Sequence, residues 1–398
     1  YHSLDFLRAV AMYLGVVIHT SVFFGMERPL GLGWAEYYPD PVNYQLVSGI
    51  HLFRMQLFFI IAGFFGEMVC RKKGVGYFAG NRFKRIFIPF IVGCIVVVPF
   101  AEAVFAGHIK ELAGNTYLEN AKEYMFFEFL SGNHFTPEIK FAHFWFVWFL
   151  FFYYVTHWLV RVVVGDRLAG LKEALVRFID FCVTKSYGVF VLAAIFFFLL
   201  LPQRMALFPP RDAGLDVGIQ ELAYYLVCYG FGCGLYYVRD FLRKIAKNLK
   251  LNLAIILCFS FWIHGATDTI DAHPNPAVDI GSWRFFNFHI FWDGVFYGGF
   301  DRYLILFVRC LLCFSCCFTL FALGERFFGK RNELVRYVAD ASYWVYWAHL
   351  PVTVYLSSLF QPYMGMSSLF KCYLALVIST ILIMVPYVLM VRNTFLGD

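Results

Sequence analysis

The chain has 398 residues, of which 61% are apolar, 21% aromatic and only 15% charged. A soluble domain carries about 25% charged residues, so a water-soluble globular class is excluded. Fifty Phe residues and apolar runs of about 18 residues or more point instead to an all-α, polytopic membrane bundle. The +6 net charge falls mostly in short loops, which makes it a topology signal and argues against a nucleic-acid partner.

Ten transmembrane spans are expected, at about 4–26, 48–70, 84–105, 141–163, 186–202, 218–238, 250–266, 303–323, 335–359 and 368–391, within a single domain covering 1–398. Tyr1 is not Met, so a short preceding piece is expected. The first span lacks a small-residue cleavage site, which makes it an anchor and not a signal peptide. Twenty Lys and Arg residues lie in loops 71–85, 161–185, 239–250 and 324–336, against nine in the alternate loops. Cytoplasmic loops hold the excess, so both termini are expected in the cytoplasm.

The first span carries Asp5, Arg8 and His19 in an otherwise apolar run. An ionisable group inside a bilayer is costly and marks a functional site by default. Eleven residues separate Arg8 from His19, close to three turns, so both lie on one stripe about 16 Å apart along the axis. Asp5, three residues before Arg8, can pair with it. The alternative is a snorkelling Arg and a packed His.

The second span opens HLFRMQLFF, so His51 and Arg54 share a face in its outer part. They face a protein interior or a water-filled cavity, unless Arg54 only snorkels. At the third span, NRFKRIFIPF places Arg82 and Arg85 one turn apart. That spacing suits bidentate phosphate binding, and equally suits ordinary positive-inside anchoring. His143 opens the fourth span among Trp145 and Trp148, with His134 in the loop before it.

Cys310, Cys313, Cys316 and Cys317 have metal-like spacing but sit in an apolar run with no local His. No metal site or disulfide framework is expected there. The segment 282–300 is aromatic-rich yet holds Arg284, Asn287, His289 and Asp293. A re-entrant or interfacial segment is expected, because an eleventh span would break the charge alternation. In the ninth span, ASYWVYWAHLPV puts Ser342, Tyr346 and His349 on one face, ahead of Pro351.

Arg8, then ten intervening residues and His19, the run FFIIAGFF, the Arg82-x-x-Arg85 entry to the third span and the late SYWVYWAH occur in order along nearly the whole chain. In this combination the sequence resembles the acyltransferase 3 family of membrane enzymes. The resemblance implies transfer of a succinyl or acetyl group from acyl-CoA, a donor substrate and not a resident cofactor, to a glycan hydroxyl across a bacterial inner membrane. It implies catalytic roles for His19, Arg8 and His349, CoA binding by Arg82 and Arg85, and substrate contacts from His51, Arg54, Tyr346 and His143. A neutral imidazole is the side chain suited to take a hydroxyl proton near pH 7. A transporter using intramembrane His and Arg as a proton relay is the alternative, although no internal repeat supports it.

Overall fold

The computed structural model describes residues 1–25, 39–111, 141–165, 167, 169–200, 219–271, 283–285, 288–290, 300–361 and 365–392. Helices dominate in chain order: α1 His2–Gly25, α2 Pro41–Lys73, α3 Val75–Arg82, α4 Ile88–Glu111, α5 Trp145–Leu159, α6 Ala169–Thr184, α7 Gly188–Leu200, α8 Ile219–Leu235, α9 Phe241–Lys247, α10 Leu249–Asp271, α11 Phe300–Phe328, α12 Glu333–Phe360 and α13 Ser368–Pro386. Each of the ten expected spans holds a helix. Among the described residues, five stretches are long and apolar enough to cross a membrane alone: His2–Gly25, Pro41–Lys73, Ala142–Val164, Tyr303–Phe328 and Ser368–Val391. A sixth is reached if α6 and α7, bent by 119°, count together. The helical class is as expected, whereas five or six of the ten expected crossings meet the length and hydropathy needed to span.

Within segment 282–300, Trp283–Phe285 pairs antiparallel with Phe288–Ile290, Arg284 opposite His289, and α11 already begins at Phe300. Aromatic and β-branched residues favour such pleated pairing. The remainder of the segment lies outside the described residues, as does His134.

Local chemistry sets the helix ends. The Asp40 carboxylate accepts from Val42 N at 2.8 Å, with Pro41 as the first helical residue of α2. The Asn332 side chain accepts from Leu334 N and Val335 N at the start of α12. The last carbonyls of α1 have no intrahelical donor. Gln361 Nε2 donates to Phe23 O at 2.8 Å, while Ser368 Oγ and Asp40 N each donate to Phe24 O at 3.0 Å. One end of α1 is thereby tied to α2, α12 and α13.

Small residues let α2 and α8 approach closely, as interhelical packing in a bilayer favours. A Cβ on Gly63 would run into the Tyr229 carbonyl, and one on Gly232 into the Ile60 carbonyl. The core around these contacts is apolar and aromatic, with Phe59, Phe64, Tyr153 and Tyr225 fully buried. Cys310, Cys313 and Cys317 are buried in it as free thiols.

Candidate active site

A cavity and a buried cluster of rings lie end to end between α1, α2, α5 and α12. The first is a cavity of about 440 Å³ at the end of the bundle that carries the basic loops. Arg8, Lys73, Arg82 and Arg85 supply its positive charge, and Met12, Phe58 and Phe146 form its apolar floor. A π-helical turn over Phe83–Phe87 follows α3. Such turns often accompany functional sites, and this one turns Arg82 and Arg85 to different exposures. Arg82 is half-buried, with its guanidinium carbon 4.9 Å from the Tyr154 ring centroid and 5.7 Å from that of Phe78. Its Nε is buried and makes no hydrogen bond among the described residues. Arg85 is exposed.

The ring cluster begins about one turn beyond that floor. Four residues before Phe58 on α2 is Arg54; three residues before Phe146 is His143; one and two turns past Ser342 are Tyr346 and His349; and α1 continues from Met12 to His19. The rings converge. The His19 and His349 centroids are 5.1 Å apart, and those of His143 and His349 are 4.9 Å apart. Phe146 stacks edge-on against both Phe58 and Tyr346, at 4.9 and 4.5 Å, and so separates the cavity from the ring cluster.

Hydrogen bonds fix several of these groups. The Tyr346 hydroxyl donates to His143 O at 2.6 Å and holds the start of α5 against α12. His349 Nδ1 lies 2.6 Å from Tyr346 O. A carbonyl only accepts, so Nδ1 carries the proton and Nε2 presents a lone pair. That Nε2 is buried without a hydrogen-bond partner among the described residues, as are both ring nitrogens of His143. Pro351 has no N–H, which frees the Trp347 carbonyl that lies beside His143. His19 is half-buried and makes no hydrogen bond to a described residue.

Arg54 is 7% exposed, and its Nε donates to Ala11 O at 2.7 Å. Gly15 makes room for it, because a Cβ there would run into the guanidinium. The charge of Arg54 reaches His19, His143, His349 and Tyr346, and no carboxylate among the described residues pairs with it. A buried charge without a counter-ion is strongly unfavourable, and Arg54 leaves this cluster with positive charge that no described carboxylate offsets.

The placement of the expected residues divides cleanly. His19, Arg54, His143, Tyr346 and His349 come together, and Arg82 and Arg85 line the charged cavity. His51 is half-buried, close enough to His19 to be felt electrostatically, with its Nδ1 2.8 Å from Val47 O. Arg8 does not join His19. It lies three turns away, pairs with Asp5 at 3.6 Å and lines the cavity, so its place is with Arg82 and not with the histidines.

Sequence reasoning missed a second polar cluster. Glu67 on α2 is 1% exposed and accepts bonds from Arg71 Nε at 3.1 Å, from Arg161 Nη2 and from the Tyr237 hydroxyl. His157 on α5 bridges Glu67 Oε2 and the Tyr229 hydroxyl, each at 2.8 Å. An acid inside an apolar span was the visible signal, with Arg71 one turn on; its other partners, 90 and more residues away, were not. Glu67, His157 and Cys233 place ligand atoms within 4.8 Å of one another. Two guanidinium groups already neutralise the carboxylate, however, so an added cation would meet repulsion and the set reads as an ion-pair lock.

Membrane-length helices enclose a charged cavity and an imidazole cluster, an arrangement of integral membrane proteins that handle polar ligands. A family model described as an acyltransferase domain matches residues 1–389. The chain belongs to this acyltransferase 3 family and is an acyl-transferring membrane enzyme. It is similar to Glucans biosynthesis protein C of Salmonella gallinarum, Salmonella typhi and Salmonella typhimurium, 21% identical in each case over 96% of this chain and 90% of the relative. No solved structure matches.

Proposed function

We propose that this enzyme moves an acyl group from cytoplasmic acyl-CoA to a hydroxyl of a periplasmic or cell-envelope glycan, with His19 as general base. The observation that supports this reading is the alignment of the cavity with the ring cluster: cations suited to phosphates lie at the basic-loop end, and imidazoles suited to a hydroxyl lie one to two turns beyond the apolar floor. The positive-inside rule makes the basic-loop end cytoplasmic. The names of the similar proteins support a glucan as the acceptor.

Arg82 and Arg85, with Arg8 and Lys73, bind the CoA phosphates, for which planar guanidinium groups give bidentate contacts. The acyl arm passes Phe58 and Phe146 towards His19. An imidazole nitrogen of His19 takes the acceptor hydroxyl proton as the oxygen attacks the thioester carbonyl. Arg54 meets the negative charge on the tetrahedral oxygen. His349 Nε2 and His143 hold neighbouring acceptor hydroxyls. The carbon–sulfur bond then breaks, and the imidazolium returns the proton to the CoA thiolate. A succinyl donor brings a further carboxylate, for which Arg54 is the buried counter-charge, whereas an acetyl donor brings none.

The test uses purified protein in nanodiscs with succinyl-CoA or acetyl-CoA and a neutral β-glucan, reading free CoA and acylated glucan by mass spectrometry. Acceptor-dependent CoA release that His19→Ala abolishes is expected. No release from the wild type with either donor, or full activity in His19→Ala, refutes the reading.

A further inference from the structure

A second cavity, of about 510 Å³, opens between α5, α6, α7 and α8, well away from the imidazole cluster. Its walls are apolar, from Leu175, Ile179, Ile195 and Leu226, and its charged lining consists of Arg161 and Lys172 against Glu67. Glu67 is turned inward and taken up by Arg161, Arg71, His157 and Tyr237, so the mouth presents positive charge. Lys172 Nζ sits 3.9 Å from the Tyr237 ring centroid. Both cations belong to a basic loop.

The elbow above the cavity has the chemistry of a membrane surface. Helix α6 meets α7 at 119° and leaves Leu171 and Leu175 exposed beside Lys172 and Arg177. An amphipathic helix with basic and aliphatic residues lies in the headgroup region with its apolar face towards the acyl chains. A long apolar slot beneath two cations is complementary to one kind of molecule, a lipid with a negative headgroup. The volume falls within the range of about 300–1,000 Å³ that ligand sites occupy.

We propose that this groove is a binding site for an anionic glycerophospholipid of the leaflet facing the basic loops. One acyl chain lies along Leu175, Ile179 and Leu226, and the phosphate meets Arg161 and Lys172. Binding fastens α6 to α8, which holds Tyr229, and to the π-helical turn Val160–Val164 after α5, which holds Arg161.

The experiment reconstitutes the full chain in nanodiscs of phosphatidylcholine containing a minor fraction of phosphatidylglycerol, then measures retained lipid by native mass spectrometry after transfer to detergent. Preferential retention of phosphatidylglycerol is expected. Lys172→Ala should lower that preference about fivefold, the effect of one cation near an anionic surface. Leu175→Trp, which fills the slot, should lower retention of phosphatidylglycerol with Lys172 intact. Thermal unfolding of each variant checks that it is folded. Equal retention of the two lipids by wild type, or unchanged preference in both folded variants, overturns the proposal. So does full displacement of the lipid by inorganic phosphate, which would reveal an anion site with no role for the chain.

Discussion

The candidate chemistry rests on a few side chains whose hydrogen bonds decide their roles. His349 is locked by its Nδ1 contact to Tyr346 O and offers only Nε2, whereas His19 has no such restraint among the described residues. Removing His19 should therefore cost the proton transfer itself, roughly 10²–10⁴-fold in kcat, with little change in the KM for acyl-CoA. His349→Ala should instead act mainly on the KM for the glycan, because it removes an acceptor of a neighbouring hydroxyl; steady-state kinetics with each substrate varied distinguishes the two. Arg54→Gln should lower kcat by about 10²-fold if it meets the oxyanion, and should depress succinyl transfer further than acetyl transfer if it also reads a carboxylate. Gly15→Ala is expected to imitate Arg54→Gln in part, since the added methyl occupies guanidinium space. Normal activity in Gly15→Ala would show that Arg54 has room to move without consequence.

At the scale of elements, the molecule uses close helix contacts to bring distant positions into line. The α2–α8 seam depends on Gly63 and Gly232, and its basic-loop end is locked by Glu67, Arg161 and His157. Truncating Glu67 to Ala would leave a buried cation and a buried imidazole without their acceptor, a loss of about 3 kcal/mol. A lowered midpoint in thermal unfolding of detergent-solubilised protein is the readout, and an unchanged midpoint would demote the cluster to a surface ion pair. On the other side, the α3 to π-turn segment carries Arg82 and Arg85. Replacing both with Ala should weaken acyl-CoA binding and flatten its dependence on salt, because two charge-assisted contacts to phosphate are lost. Calorimetric titration at two ionic strengths gives the comparison. Affinity that stays salt-sensitive would assign the phosphates to Arg8 and Lys73 instead.

For the whole molecule, direction is the central property: a charged mouth at one end and an imidazole cluster beyond a Phe floor. If the basic loops are cytoplasmic, single cysteines placed at Lys72 and Lys247 should be protected from a membrane-impermeant maleimide in intact cells. They should react in inverted vesicles. Labelling of both in intact cells would reverse this order and put the CoA cations on the wrong side.

The chain itself made several of these features readable. Hydropathy and the alternation of basic loops marked out the helices, because every backbone polar group in a bilayer must be satisfied within its own segment. The cost of an ionisable group in lipid singled out His19, Arg54 and His349, and local spacing placed Tyr346 on the same face as His349. Periodicity works only within one helix, so it placed Arg8 and His19 on one stripe three turns apart but could not say which side chains of other helices each would meet. Which helices touch is set by packing between segments far apart in sequence. Only the tertiary structure therefore joined Glu67 to His157, gathered three histidines from α1, α12 and the turn before α5 around one buried arginine, and left an apolar floor between that arginine and the cations at the mouth.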